Sequence, residues 1–270
     1  MRRIGQGRTA EIFEYTSNQI MKLYHADFPA EAVQNEFRIT DAVFRKGLPV
    51  PQARLFKDDE SRKGIIFERI EGNTMLSLMI QEPVLIKELS CQMAVCHHSL
   101  HAQNDEEGVL PAQKQILTGA IRNTSLLSEE EKIQIITYLS TLPDRKQICH
   151  GDFHPDNVMV NETRDQYWVI DWMTGMSGDP AGDVARSWVI LMSATLPEDT
   201  APAILKGFEG VRNLLLDDYI RHYLQISGIS RQEMDAWILP VAAARLNESL
   251  PGVEADQLIK LVHDRIRLLK

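Results

Sequence analysis

Over the first seventy residues, apolar and polar positions alternate in short stretches. Residues 10–24 (AEIFEYTSNQIMKLY) hold two segments rich in β-branched and aromatic residues on either side of Thr16-Ser17-Asn18, which predicts a hairpin. Pro29 then precedes Val33, Phe37, Thr40 and Phe44 at helical spacing, with Gly47 as a stop, so one amphipathic helix is expected. Residues 52–57 and 63–70, split by the polar run 58–62, predict a second hairpin. The expected order is β-β-α-β-β.

Past Glu71-Gly72-Asn73 the pattern lengthens. Residues 83–102 start at Pro83 and continue without a breaker, as a core helix would. Ser128-x-x-Glu131 and Ser230-x-x-Glu233 match capping boxes ahead of apolar periodic runs, and helices are expected over 129–141, 202–226, 231–247 and 254–269. Residues 148–172 form an island of short strands and turns. No repeat or low-complexity segment interrupts the chain. The change near residues 70–74 predicts an α+β protein with a β-rich N-terminal lobe, 1–71, and a mainly helical lobe, 72–270.

Composition narrows the field. Lys plus Arg number 29 against 38 Asp plus Glu, a net charge of −9, which argues against a phosphate backbone as partner. Cys91, Cys96 and Cys149 form no CxxC pair, which suits a reducing, cytoplasmic compartment. No apolar run approaches the ~18 residues of a membrane span, so no membrane partner is expected.

The chemistry concentrates in residues 148–160. His150, Asp152, His154, Asp156 and Asn157 all fall within eight residues, just ahead of the apolar strand Val158–Val160. A polar surface turn would have this composition too. However, the strand Tyr167–Ile170 delivers Asp171 at its end, and a hairpin would return Asp171 beside Asp152 and Asn157. A carboxylate and an amide are hard oxygen ligands suited to Mg²⁺, and a carboxylate left off the metal could take a proton from a hydroxyl.

HGDFHPDN followed by VIDW and GDPAGDVA resembles the signature of the aminoglycoside phosphotransferase and choline kinase-like families, and the likeness covers nearly the whole chain. The family spacing, His-Gly-Asp, Asn five residues after the Asp and a second Asp nineteen after it, is matched at His150, Gly151, Asp152, Asn157 and Asp171. The resemblance implies a two-lobed protein-kinase-like fold, ATP or GTP as donor, Mg²⁺ as cofactor and a small hydroxylated molecule as acceptor. It makes Asp152 the catalytic base and Asn157 and Asp171 the Mg²⁺ ligands. Asp183 would brace the catalytic loop, and His150 would position it.

Such a fold also needs a phosphate-covering turn, a strand lysine and a helix glutamate. Gly5 and Gly7 lie in a turn where backbone N–H groups can approach phosphate oxygens. Lys22 is a charge in an otherwise apolar strand and needs an anion, unless that strand is an edge. Glu36, three residues past Val33, shares the apolar face of its helix and is preferred as the partner over Glu31 in the exposed first turn. By position, Phe67, Glu68 and Ile70 resemble the linker whose backbone binds adenine.

Three readings compete. Histidines and aspartates at alternate positions invite a metal-dependent hydrolase, but His98 stands where a zinc protease has its glutamate between His97 and His101. A catalytically inactive nucleotide-binding pseudo-enzyme would keep the shape alone. A protein kinase is disfavoured because Trp172-Met173 follows Asp171 and no Ala-Pro-Glu follows. Among small acceptors, aminoglycosides, choline or ethanolamine, amino sugars and homoserine-like compounds stay open. Asp217, Asp218, Glu233, Asp235 and Glu248 offer negative charge that would suit an amine.

Overall fold

The computed structural model describes the backbone of residues 1–7, 9–57, 62–195 and 202–269, and their side chains except those of 202–209. Arg8 of the glycine turn, most of the polar run 58–62 and residues 196–201 lie outside the described residues. The elements are β1 (Arg3–Gln6), β2 (Ala10–Thr16), β3 (Gln19–Tyr24), α1 (Ala30–Arg45), β4 (Ala53–Lys57), β5 (Lys63–Glu68), β6 (Asn73–Thr74), α2 (Met75–Gln81), α3 (Ile86–His101), α4 (Gln113–Asn123), α5 (Glu129–Thr141), β7 (Gln147–Cys149), β8 (Val158–Val160), β9 (Tyr167–Val169), β10 (Met176–Gly178), α6 (Pro180–Ser193), α7 (Pro202–Ser227), α8 (Arg231–Arg245) and α9 (Gly252–Arg267). The fold is α+β, and the chain divides into two compact units. One comprises Met1–Met75 with Pro155–Gly175, the other Leu76–His154 with Met176–Lys270. Residues 155–175 thus group with the N-terminal unit, although they lie within the span that polarity assigns to the helical lobe.

The first unit is built on an antiparallel sheet in the order β1-β2-β3-β5-β4. Strand period 2 sends Tyr24 and Ile65 to one face, where they pack with Ala10 and with Val33 of α1. Met21, Leu23 and Ile66 form a second cluster with Phe13, Tyr15 and Phe56. Strands β3 and β5 are therefore covered on both faces, and a charge within them must be paired. Strand β1 was not counted in the expected order because Arg3-Ile4-Gly5-Gln6 carries a single large apolar residue; it is held by backbone pairing to β2, with a bulge between Arg3 and Gly5.

A three-stranded sheet, β6-β8-β9, completes this unit. Gly72, just before β6, passes so close to β8 that a Cβ there would lie 2.1 Å from the Val160 carbonyl oxygen.

In the second unit β7 pairs antiparallel with β10, and helices surround them. The capping boxes of α5 and α8 form as the sequence predicts: Ser128 Oγ accepts from Glu131 N at 3.3 Å and Ser230 Oγ from Glu233 N at 3.1 Å. Helices α2 and α4 escaped the periodicity reading. The first is seven residues long, and the second buries only Gln113, Leu117 and Ile121. The expected 83–102 helix opens with a 3₁₀ turn at Pro83–Leu85 before α3 begins.

Gly72→Ala should force β6 away from β8 and lower the unfolding free energy by about 1–3 kcal/mol, the usual cost of an overpacked site. Urea denaturation of the variant beside the wild type measures it.

Candidate active site

In the first unit the strand alternation puts Lys22 on the same side of β3 as Tyr24, and the lysine is 9% exposed. Its Nζ donates to Glu36 Oε1 at 2.8 Å and to Asp171 Oδ1 at 2.8 Å. The helix face therefore presents Glu36, not Glu31, and Glu36 is fully buried. Its second oxygen accepts from the Tyr24 hydroxyl, a partner the sequence reading missed. Burial lowers the affinity of Lys22 for its proton, but the two carboxylates outweigh it and the ammonium is held above its ordinary value. Burial likewise pushes Glu36 up, with the Lys22 charge opposing.

The β8–β9 register, Val158 opposite Val169, carries Asn157 across from Ile170, whose N–H donates to the Asn157 carbonyl at 3.0 Å. Asp171 then takes a left-handed conformation (φ 63°, ψ 63°), followed by a turn anchored by the buried Trp172, which donates through Nε1 to Val169 O at 3.0 Å. Asn157 is 8% exposed, whereas the Asp171 side chain is 47% exposed. An amide and a carboxylate, with neither sulfur nor imidazole, form a donor set that fits Mg²⁺.

The remaining residues expected on the nucleotide side are partly committed elsewhere. Gly7 N–H donates to Ala10 O at 2.8 Å, closing the turn, so it does not point outward to a phosphate. Gly5 lies within β1, paired opposite Ile12, and not in the turn as expected, and a Cβ at Gly5 or Gly7 would meet only ordinary van der Waals distances, so neither glycine is required by protein packing. Glu68 N–H donates to Gln52 O and Arg69 N–H to Asn18 O, each at 2.9 Å. Phe67 packs against the core cluster of Val33 and Ile65. Ile70 N–H enters none of these backbone bonds.

In the second unit the loop expected to be catalytic leaves β7 at His150 and is held by Asp183 on α6. Asp183 Oδ2 accepts from His150 N at 2.6 Å, and Oδ1 from Gly151 N at 2.8 Å. Gly151 sits at φ 77°, a region that favours glycine. His150 is buried and accepts from Asp152 N–H at 3.3 Å through Nδ1, so it orients the Asp152 backbone. Phe153 is buried and stacks on His97 with ring centroids 3.9 Å apart.

Asp183 has two further donors. His97 Nε2 lies 2.9 Å and His101 Nε2 3.2 Å from Oδ2, while Tyr219 and Tyr223 hydroxyls lie 2.6 Å from the respective Nδ1 atoms. Facing the carboxylate, each Nε2 donates to Asp183, while each Nδ1 meets a tyrosine hydroxyl. These three residues also fall within metal-ligating reach of one another, all ligand atoms within 4.8 Å. The sequence reading found no partner for His97 and His101, and Asp183 supplies one. Ligating a cation would cost both imidazole N–H bonds and the brace on the loop. Hydrogen bonding alone accounts for the cluster.

Asp152 is 31% exposed at its side chain, lies 3.2 Å from Arg186 Nη2 through Oδ1, and has His154 Nε2 3.5 Å from Oδ2. Burial would raise its pKa, but hydrogen bonding from His154 and the charges of Arg186, His154 and His150 prevail and hold it below the ordinary carboxylate range. It is therefore ionised near neutrality, as a proton acceptor must be. Arg186 was missed from sequence. Its signal was a cation inside the apolar stretch Val184–Ile190, three residues past Asp183.

The profile of the phosphotransferase enzyme family matches residues 1–223. The chain belongs to this family. Among curated relatives, acyl-CoA dehydrogenase family member 10 of Mus musculus is 29% identical over 232 residues, covering 77% of this chain and 21% of its own length. Acyl-CoA dehydrogenase family member 11 of Gallus gallus is 24% identical over 223 residues, covering 74% and 28%. The chain thus spans about a quarter of the length of the curated relatives it matches. Among solved structures, aminoglycoside phosphotransferase APH(4)-Ia superposes with a TM-score of 0.68 at 16% identity, over 98% of this chain and 92% of that one. Aminoglycoside-3'-phosphotransferase of type VIII gives a TM-score of 0.60 at 18% identity, over 90% and 91%. The fold is therefore that of the aminoglycoside phosphotransferases.

The His97 network has a pH signature. Burial first, then the neighbouring His101, pushes the His97 pKa down to about 3 from an ordinary 6.5. The unfolded chain binds a proton there below about pH 6.5 while the folded chain does not until about pH 3, so stability falls as pH drops across that window. Between pH 7 and pH 5 this contributes a loss of about 2 kcal/mol. Urea unfolding at the two pH values should show that loss in the wild type and its absence in His97→Gln.

Proposed function

We propose that the chain is an ATP- or GTP-dependent small-molecule kinase that transfers the γ-phosphoryl group to an acceptor hydroxyl. The observation that carries this reading is the buried Lys22 held 2.8 Å from both Glu36 and Asp171. A desolvated ammonium shared between two carboxylates can exchange one of them for a phosphate oxygen at little cost. Lys22 then steadies the nucleotide phosphates, and Glu36, locked by Tyr24, keeps Lys22 in place. Asn157 and Asp171 would hold Mg²⁺, which supplies charge neutralisation on the phosphates. Asp152 takes the proton of the acceptor hydroxyl as the new oxygen–phosphorus bond forms and the bond to the β,γ-bridging oxygen breaks, releasing the nucleoside diphosphate.

Two findings bear on the partner molecules. A thermostable mutant of APH(4)-Ia has been solved as a ternary complex with AMP-PNP and hygromycin B, which supports a triphosphate donor and a small hydroxylated acceptor. Of the five acidic residues that could attract an amine, Asp218 pairs with Arg221, Glu233 caps α8, Asp235 lies 3.2 Å from Arg231 and Glu248 lies 2.6 Å from Arg186. The charge of these four is engaged, which leaves Asp217 as the one of the five with no ion pair or capping bond among the described residues, so the cluster does not call for an amine on the acceptor. The curated relatives are named for acyl-CoA dehydrogenation, and hydroxylated acyl compounds therefore join aminoglycosides, choline, ethanolamine, amino sugars and homoserine-like compounds as acceptors to be tried. No helix among the described residues is long and apolar enough to cross a membrane. Cys91, Cys96 and Cys149 form no disulfide, and a reducing, cytoplasmic setting would keep them so.

Mg-ATP at 100 times its dissociation constant should stabilise the fold by about 2.7 kcal/mol, a rise of roughly 5–10 °C in Tm if unfolding is two-state. No shift with Mg-ATP or Mg-GTP, confirmed by calorimetry, would defeat the kinase reading.

The two aspartates should separate in their effects. Asp152→Asn is expected to bind Mg-nucleotide almost normally and lose about 10²–10⁴ in kcat, whereas Asp171→Asn should weaken nucleotide binding as well. Equal loss of nucleotide affinity in both variants would show the roles to be misassigned. Nucleoside diphosphate release across the acceptor panel identifies the substrate class.

A further inference from the structure

We propose that Arg186 is a positioning residue for the catalytic base, clamping the backbone of Gly151 and the carboxylate of Asp152 in one rigid unit, with Glu248 locking the clamp from behind. The proposal rests on Asp152 being the base of the phosphotransfer, and it adds a residue and a charge relay that the proposed function does not need in order to stand.

The geometry is specific to a guanidinium. Arg186 Nε donates to Gly151 O at 3.1 Å, Nη2 to Asp152 Oδ1 at 3.2 Å, and Nη1 lies 2.6 Å from Glu248 Oε1. One planar group thus reads two consecutive residues of the catalytic loop along one side and a carboxylate beyond α8 on the other. A lysine offers the same charge from a single atom and cannot hold three acceptors in fixed directions. The side chain is only 13% exposed, so these bonds operate with little competition from water.

Glu248 is itself fixed. Arg245 Nη1 donates to Glu248 Oε2 at 3.0 Å and Arg245 Nη2 to Glu254 Oε2 at 3.1 Å. Glu254 Oε1 in turn accepts from Thr195 N at 2.9 Å and Thr195 Oγ1 at 3.1 Å. Charges alternate along the relay Asp152, Arg186, Glu248, Arg245, Glu254, which runs from the loop through α6 and the end of α8 to α9. Such a relay removes the long side chain's freedom to leave Asp152, so the carboxylate is held at one angle to an incoming hydroxyl. The other ionisable groups near Asp152 are His154 and His150 of the loop itself, and Arg245 acts on it from α8.

Removing the guanidinium should loosen the carboxylate and take away the positive charge that keeps it ionised. In Arg186→Gln the acid limb of the kcat–pH profile is expected to move up by about 1 unit or more. Turnover at neutral pH should drop roughly 10–100-fold, part of what a positioned base contributes, with KM for Mg-ATP unchanged within about twofold. Arg186→Lys separates the two effects: it retains the charge, so its acid limb should stay near that of the wild type while kcat is still reduced. Glu248→Gln, which keeps Arg186 but slackens the lock, should give a smaller loss of kcat and serves if Arg186→Gln does not fold. A merely structural arginine would move neither the pH limb nor kcat in a folded variant, and that outcome would overturn the proposal.

A readout without turnover keeps this distinct from the kinase assignment. The ¹³C resonance of the Asp152 carboxyl, titrated in the wild type and Arg186→Gln, should show an upward displacement in the variant whether or not an acceptor is phosphorylated; an unchanged titration would overturn the proposal. A wild type inert to every acceptor would count against phosphotransfer alone.

Discussion

A carboxylate withdrawn from water is tolerated only when its lone pairs are occupied, and Asp183 meets this condition with four N–H donors. Two come from the backbone of the loop after β7 and two from the imidazoles of His97 and His101. The same bonds that solvate the buried charge therefore fix the loop. Gly151 can hold its left-handed turn because both flanking amides are tied down, and His150 and Phe153 take their places from there. The tyrosines extend the arrangement, since each imidazole needs a hydroxyl at Nδ1 if Nε2–H is to face the carboxylate. The pairs His97–Tyr219 and His101–Tyr223 are each 122 residues apart, so α3 and α7 run parallel at this contact and are locked in register by polar bonds inside an apolar interface.

Lys22 in one unit and Arg186 in the other are each held between two carboxylates, and the two cations differ in what they can do. Lys22 bridges Glu36 and Asp171 from a single atom with three rotatable donors. Such a group can release one anion and accept another, which suits contact with a phosphate that comes and goes. Arg186 bridges Asp152 and Glu248 through a planar fork. Its donors point in fixed directions, so it holds a geometry and does not exchange partners readily. Against the burial that would raise it, the pKa of Asp152 is held down by hydrogen bonding from His154 and by the charges of Arg186, His154 and His150. These partners keep Asp152 ionised despite its burial.

Local signals were legible along the chain because they act over a few residues. Strand alternation in β2, β3, β4 and β5, the capping boxes at Ser128 and Ser230, and the spacing of Asp152, Asn157 and Asp171 could all be read directly, and Glu36 could be preferred over Glu31 by helix geometry. Where local patterning was weak, reading failed: β1 has almost no apolar face, α2 is too short to show a period, and α4 buries a narrow stripe. The turn glycines show a different limit. Their small size invited a phosphate-binding role, but whether Gly7 N–H is free depends on where the Ala10 carbonyl lies, and composition carries no information on that.

What the sequence by itself determined is the set of chemical groups and their placement on strands, helices and loops, since backbone geometry follows from neighbours within a turn or a hairpin. Only the tertiary structure decided which groups became partners. Tyr24 on Glu36, Arg186 on Asp152, Glu248 on Arg186 instead of an amine, and two histidines on Asp183 are pairings across 12 to 86 residues. At such separations chain entropy erases any local preference, and burial selects the partner by demanding that every charge and polar atom removed from water be satisfied.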